Sequence, residues 1–161
     1  MKKLFFYHSV AMLAVAAVSC QKEMVVADGE DGNVTLTIQT PEVATKTIAD
    51  GENVDVVYYE VYKKEANHTN SINGGDPLID GMIEDFDGSA TLNLNLIQNQ
   101  NYVILFWAEF AGKNFYDTDD LRKVTVDYTG LTANNEDRAA FCQVFELSTS
   151  QVTSGTVTLV R

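Results

Sequence analysis

Carboxylates are the side chains of this sequence best suited to chemistry. Glu109 lies near the end of a long apolar run, and Asp117, Asp119 and Asp120 follow in a polar segment. Glycoside hydrolases use two such acids as catalytic groups: one carboxyl group donates a proton and the other acts as base or nucleophile. Catalytic domains of that kind are usually larger and carry a cleft. We therefore predict that these acids are solvated or cap turns, and that the protein is not an enzyme.

The sequence does not indicate a general base that could activate a nucleophile. His68 lies in the polar stretch 65–71, which we interpret as a loop with a solvated histidine. The nucleophile elbow Gly-x-Ser-x-Gly does not occur, so the sequence contains no sign of an α/β-hydrolase triad.

Metal and cofactor sites are not indicated either. Residues 28–33 and 50–55 are rich in oxygen ligands, but their glycines fall at the wrong positions for an EF-hand loop. The chain has two cysteines, Cys20 and Cys142, too few for a thiolate metal site. We predict no metal and no cofactor, and we expect Cys142 to be a buried small apolar side chain.

The N-terminus reads as a secretory leader. Two lysines open the chain, an apolar run follows, and small residues precede Cys20. The run is too short for a spanning helix, which needs about 20 apolar residues. Residues 17–20 resemble the lipobox of bacterial lipoproteins, which implies cleavage after residue 19 and acylation of Cys20. Acyl chains on Cys20 would tether the protein to a membrane.

The charge of the chain excludes one class of partner. The formal net charge is −12, and removal of residues 1–19 takes away two lysines and no acids, which leaves −14. Nucleic acids need a basic surface, so we predict no nucleic-acid partner. Residues 20–32 are acidic and contain glycine, as expected of a linker, and residues 21–23 are similar to the short export signal of outer-surface lipoproteins.

Residues 33–161 are predicted to form one all-β domain. Apolar and polar residues alternate with a period of two, the pattern of half-buried strands. We expect strands near residues 34–39, 57–62, 77–84, 90–96, 102–110, 123–128, 141–148 and 153–160, with a turn at 98–101 and helical turns within 117–121 and 134–140. Seven or eight short strands predict an antiparallel Greek-key β-sandwich.

Several segments resemble one known family. Lys46 is the sole basic residue between Met24 and Tyr62, and it follows Val43-Ala44-Thr45. With residues 50–55, 58–59, 103–108, 116–121, 126–128 and 135–141, this stretch is similar to fimbrillin-like lipoproteins of the Bacteroidales, which are pilus subunits and adhesins.

The resemblance implies a transthyretin-like sandwich and a processing step. In such pilins a protease cuts after a basic residue, the first strand is lost, and a strand from the next subunit fills the gap. Lys46 stands at the corresponding place. A chain with one such domain has no second domain to donate a strand, so an anchor, a cap, a minor accessory subunit or a truncated relative is expected.

Two classes of function follow from these observations. The first is a structural or adhesive lipoprotein, anchored in the outer membrane and displayed on the cell surface, whose partners are fimbrial subunits or host and cell-surface proteins. The second is a surface module that binds a glycan or another ligand. Tyr58, Tyr62, Phe115 and Tyr116 are the aromatic residues that could form its platform, although core packing is the favoured interpretation of these rings.

Overall fold

A computed structural model describes residues 31–41, 53–64, 75–129 and 135–161 of the 161-residue chain. Cys20, Lys46 and His68 lie outside these ranges, as do the predicted leader and nearly all of the predicted linker. The first strand begins at Asp31, two residues before the expected start of the domain at residue 33.

The described residues form strands and two short 3-10 turns. The turns are Leu121–Lys123 and Glu136–Arg138. No helix in these ranges is long and apolar enough to cross a membrane. The strands are β1 (Asp31–Gln39), β2 (Val56–Lys63), β3 (Ile79–Ile83), β4 (Ser89–Ile97), β5 (Asn101–Glu109), β6 (Tyr116–Asp117), β7 (Thr125–Val126), β8 (Phe141–Ser148) and β9 (Ser154–Thr158).

Seven of these strands build two facing sheets, with strand orders β4-β1-β9 and β3-β2-β5-β8. The chain passes from one sheet to the other between β1 and β2, β3 and β4, β4 and β5, and β8 and β9. The all-β sandwich predicted from the alternating pattern is confirmed. One pairing departs from the antiparallel arrangement, because β9 runs parallel to β1.

The core lies between the two sheets. The alternate residues Val34, Leu36 and Ile38 of β1 are at most 1% exposed, and the facing sheet contributes equally buried side chains such as Val57 and Ile104. Residues of one parity on these strands therefore point into the core, and those of the other parity point away from it, as a pleated strand requires. The predicted turn at 98–101 is also present, with Asn99 at φ 57°, a conformation that asparagine tolerates well.

The segment 110–129 folds over the outward face of β2 and β5. Leu121 packs there on Tyr62, Val103 and Leu105, which form a second small apolar cluster outside the main core. This cover explains why β5 is buried on both of its faces.

Two local predictions, the helical turn within 117–121 and the strand over 123–128, were wrong in detail. A strand was expected over residues 123–128, but the 3-10 turn extends to Lys123 and β7 has only two residues. The reason is that Asp120 caps the turn by accepting a hydrogen bond from the Arg122 backbone N–H. The other predicted turn is present at Glu136–Arg138, capped by Asn135.

Candidate functional site

The first strand has the position that strand exchange would require. β1 lies in the middle of the three-stranded sheet, with nine antiparallel residue pairs to β4 and five parallel pairs to β9. Its removal would leave a slot with a strand on each side. The N–H and C=O groups of β4 and β9 that now bond to β1 would line that slot. They would need new hydrogen-bond partners, because buried backbone groups are nearly always paired.

The floor of that slot would be apolar. Val34, Leu36 and Ile38 point from β1 into the main core, where Leu92 and Leu94 of β4 and Val157 of β9 surround them. Burial of one such aliphatic side chain is worth about 1.5–3 kcal/mol relative to its exposure. A strand that replaced β1 would therefore need apolar residues at every second position.

The predicted processing residue lies on the connection between the two sheets. β1 ends at Gln39 in one sheet, and β2 begins at Val56 in the other. Lys46 stands between these strands in the sequence and outside the described residues. Cleavage after Lys46 would free β1 from the rest of the domain while it cuts no described strand.

A groove of about 270 Å³ lies on the outward face of the four-stranded sheet, at β2 and β3. Strand alternation places Tyr58 and Glu60 on that face of β2. The overlying segment contributes Thr118, Asp119 and Leu121, and β3 contributes Asp80, Gly81 and Met82. Carboxylates, a tyrosine and a thioether make this groove suited to a polar or cationic ligand rather than to an anion.

Glu60 is the buried polar centre beneath that groove. It is 7% exposed and accepts a hydrogen bond of 2.6 Å from the Tyr62 hydroxyl. Both of its carboxylate oxygens also lie 3.2 Å from the backbone nitrogen of Leu121. Burial and the bond to Glu60 raise the pKa of Tyr62. Tyr62, which was considered as a sugar platform, is 2% exposed and cannot serve as one.

Arg122 lies over the ring of Tyr62 in the buried pair Glu60 and Tyr62. Its guanidinium carbon lies 5.3 Å from the centre of the Tyr62 ring, and its Nε donates to Asp120 at 2.8 Å. The hydrogen bond from Arg122 lowers the pKa of Asp120 to about 2. Arg122 also donates to the carbonyl of Gly75, so this side chain ties the covering segment to the residues that precede β3.

Three of the candidate catalytic acids have structural partners. Glu109 accepts a hydrogen bond of 2.7 Å from Trp107 Nε1, and burial raises the pKa of its carboxyl group. Asp117 accepts from the backbone of Asp119, and Asp120 caps the first 3-10 turn. Asp117 and Asp120 are therefore turn and capping residues, as predicted. Glu109 is 5% exposed on β5, so the prediction of a solvated or capping role was wrong for this acid. Among the described residues, no three His, Cys, Asp or Glu side chains converge on a point that would hold a metal ion.

Cys142 is exposed, so the prediction that it is a buried apolar residue was wrong. It follows Phe141 on β8, where Phe141 and Leu147 point into the core and the residues of the other parity point outward. The prediction assigned the whole run 141–145 to the core because the run is largely apolar. In the structure, successive residues of β8 point to opposite faces of the sheet, so only part of the run faces the core.

The sequence did not reveal the groove or the pairing of Tyr62 with Glu60. Alternation indicates that Tyr58, Glu60 and Tyr62 share one face of β2, and this was correct. Which distant segment covers that face has no local signature. Charged Glu60 between two tyrosines is the one available signal, since a buried acid needs donors nearby.

Comparisons with known proteins place the chain in a family. The model of a family of unknown function, DUF6562, matches residues 26–161. No curated protein and no solved structure matches the chain significantly. The matched region includes every strand of both sheets, with the groove and the connection that carries Lys46. The chain is therefore a member of the DUF6562 family.

Proposed function

We propose that this protein is a cell-surface lipoprotein, anchored in the outer membrane through acylated Cys20 and related to fimbrial subunits. It acts as a structural or adhesive protein through protein–protein contacts. Strand exchange at β1 is the mechanism we propose for those contacts. No catalytic step and no cofactor belong to this function.

The central position of β1 is the observation that supports the proposal best. β1 is the first described strand, it has a neighbour on each side, and its buried residues complete the main core. Loss of an edge strand would leave a sheet with one strand fewer but with no gap between its remaining strands. A lost central strand leaves a slot between β4 and β9 that a strand from another chain can fill by β-augmentation.

Limited proteolysis and mass spectrometry test this function. A trypsin-like protease is added to the full chain, and the products are compared with those of the Lys46→Gln variant. We expect a stable core that begins at Thr47, together with oligomers joined through the vacated slot, from the unchanged chain only. A synthetic peptide of residues 31–39, added in excess, should refill the slot and prevent those oligomers.

A matched control separates cleavage at Lys46 from cleavage elsewhere. Lys64 is engaged with Glu146 at 2.6 Å, and Lys64→Gln should leave the products unchanged. An acylated Cys20 terminus together with an uncut Lys46 and a monomeric protein on intact cells would contradict strand exchange. A tethered binding domain would then be the better account.

The groove at β2 and β3 favours a second candidate function, a module that binds a glycan or another small ligand. Tyr58 and the carboxylates of Asp80 and Asp119 lie beside it, and aromatic rings with hydrogen-bonding acids are common in such sites. Titration with soluble glycans, followed by NMR shifts, should perturb the unchanged chain and not Tyr58→Ala. Tyr128, which is 73% exposed and outside the groove, provides the control variant Tyr128→Ala.

A further inference from the structure

The outer edge of β4 differs from the other sheet edges of the molecule. β4 is nine residues long, it is the last strand of its sheet, and it contains no charged residue and no proline. Natural proteins protect edge strands with short length, charges, prolines or bulges. Among the described residues, only β1 pairs with β4.

The three other edges are protected in the usual ways, and β9, like β3, has only five residues. β3 has five residues, and its sequence includes Asp80 and Gly81. β8 is bridged to the end of the opposite sheet through Cys142 and Val160, and Glu146 points outward from it. β4 is thus the longest edge strand of the two sheets and the one without such a device.

The hydrogen bonds of β1 show which backbone groups of β4 face outward. The Thr40 N–H bonds to the Gly88 carbonyl at 2.9 Å, just beyond the pair Gln39 and Ser89. Bonded and non-bonded pairs alternate along an antiparallel ladder. The even-numbered residues of β4 therefore bond to β1, and the N–H and C=O groups of the odd-numbered residues point to the free edge. Before Ile97, whose carbonyl already accepts from the Thr149 hydroxyl at 2.8 Å, these residues are Ser89, Thr91, Asn93 and Asn95.

We propose that β4 pairs with β4 of a second copy of this chain, antiparallel and across a two-fold axis at Leu92. This register brings Thr91 opposite Asn93 of the other copy, and Ser89 opposite Asn95. All four odd-numbered residues then exchange hydrogen bonds. The two three-stranded sheets join into one sheet of six strands.

Charge favours a second copy of this acidic chain at the β4 edge. The net charge of −12 opposes random contact between copies, but no acid lies within β4. The nearest acids, Asp85 and Asp87, precede the strand at one end. In the antiparallel register Asp87 faces Ile97 and Asp85 faces Asn99 of the partner copy, so no carboxylates oppose each other. A parallel pairing would bring the two acidic ends together.

The side chains on both faces suit this pairing. Thr91, Asn93 and Asn95 are exposed on the outer face, where amide and hydroxyl groups can bond across strands. On the core face the axis brings Leu92 against Leu92 of the other copy. One strand pair makes a small interface, and contacts below about 1,200 Å² are typically weak. The dimer should therefore form and dissociate with concentration.

Sedimentation velocity of the full chain over a wide concentration range tests the proposal, with intact mass confirming that the chain is uncut. We expect a monomer–dimer equilibrium. Thr91→Lys/Asn93→Lys places four lysines around the axis and should raise the dissociation constant at least tenfold. Thr91→Lys/Asn93→Glu places each lysine opposite a glutamate of the other copy and should restore the dimer. The control Ser154→Lys/Thr156→Lys adds the same charge to exposed positions on β9 and should dimerise as the unchanged chain does.

Circular dichroism checks that each variant is folded, and the concentration series on the unchanged chain does not depend on any variant. A chain that is monomeric at all concentrations overturns the proposal. So does a Thr91→Lys/Asn93→Lys variant that dimerises normally, or a β9 variant that loses the dimer equally. A monomeric Thr91→Lys/Asn93→Glu variant would exclude this register and with it the proposed pairing.

Discussion

The Tyr62 hydroxyl donates a hydrogen bond of 2.6 Å to the Glu60 carboxylate, two residues earlier on the same strand. Both side chains point away from the main core, yet they are 2% and 7% exposed. They are buried because the segment 110–129 lies over them and supplies Leu121 as a further donor and packing partner. Glu60 thus connects the outer cover to the sheet.

Glu60→Ala should destabilise the fold, because the Tyr62 hydroxyl and the Leu121 N–H would lose their acceptor. A buried group left unpaired costs about 1–3 kcal/mol. Glu60→Gln retains an acceptor oxygen and should cost less. Urea unfolding measures these losses, and Asp80→Ala, an exposed acid on the same face, should change stability by no more than about 0.5 kcal/mol. Equal losses for Glu60→Ala and Asp80→Ala would contradict the role of Glu60.

Leu36→Ala should lower the free energy of unfolding by about 2–5 kcal/mol, the range for truncation of a buried leucine. Leu36 is 0% exposed at the centre of β1. The neighbouring Thr37→Ala changes the outward face of the same strand and should cost less than about 1 kcal/mol. Chemical denaturation compares the two variants. A small loss for Leu36→Ala would mean that β1 is not integral to the core in the uncut chain.

Glu109→Gln should stabilise the protein at neutral pH. Burial raises the pKa of Glu109, so its folded-state pKa lies above its unfolded value, and the ionised form costs stability as pH rises through that interval. Glutamine is neutral at every pH and still accepts from Trp107. We expect the midpoint of thermal unfolding of Glu109→Gln to exceed that of the unchanged chain at pH 7. The difference should shrink as pH falls towards 4.

Trp107 is the sole tryptophan of the chain, and the centre of its ring lies 5.1 Å from that of Tyr116. Because Trp107 also donates a hydrogen bond to Glu109, its fluorescence reports on the surroundings of the Glu109 carboxyl group. Asp55 also acts on Glu109, and Asp55→Asn should reduce the pH dependence only in part, because burial is the larger cause. A pH-independent difference between Glu109→Gln and the unchanged chain would show that the carboxyl group does not titrate in this range.

Gly81→Ala should cost about 1–3 kcal/mol, typical of an overpacked site. Gly81 lies opposite Tyr59 in the β2–β3 pair, and a Cβ atom there would come within 2.6 Å of the Tyr59 hydroxyl oxygen and 2.8 Å of Cζ. The Tyr59 ring would have to move. A double-mutant cycle with Tyr59→Leu measures the coupling, and most of the cost should vanish in that background. If the effects of Gly81→Ala and Tyr59→Leu on the free energy of unfolding were simply additive, the Tyr59 ring would not contact the added methyl group.

Alternation along the chain was sufficient to predict most of the strands. Leu92, Leu94 and Leu96 were assigned to one face of β4 and are all buried, because successive residues of a pleated strand point to opposite sides. The same rule fails for short elements. The strand predicted over 123–128 begins instead with the end of a 3-10 turn at Lys123, since the side-chain hydrogen bond of Asp120 to the Arg122 N–H decides the backbone there.

The faces of the outer layer were beyond prediction for a different reason. Cys142 was assigned to the core from its apolar neighbours, and it lies on the exposed face of β8. Tyr62 was considered for an exposed platform, and it is buried. A period of two identifies two faces but not which of them a distant segment will cover.

The sequence by itself determined the all-β class, the alternation of buried residues along β1 and β4 and the place of Lys46 between the first two strands, because these depend on local pattern and covalent order. Only the tertiary structure decided that β1 is central, that β9 joins it in parallel and that residues 110–129 cover Glu60 and Tyr62. Those features depend on which strands meet across long sequence separations. Many pairings satisfy the same alternating pattern, and the packing of the whole domain selects one.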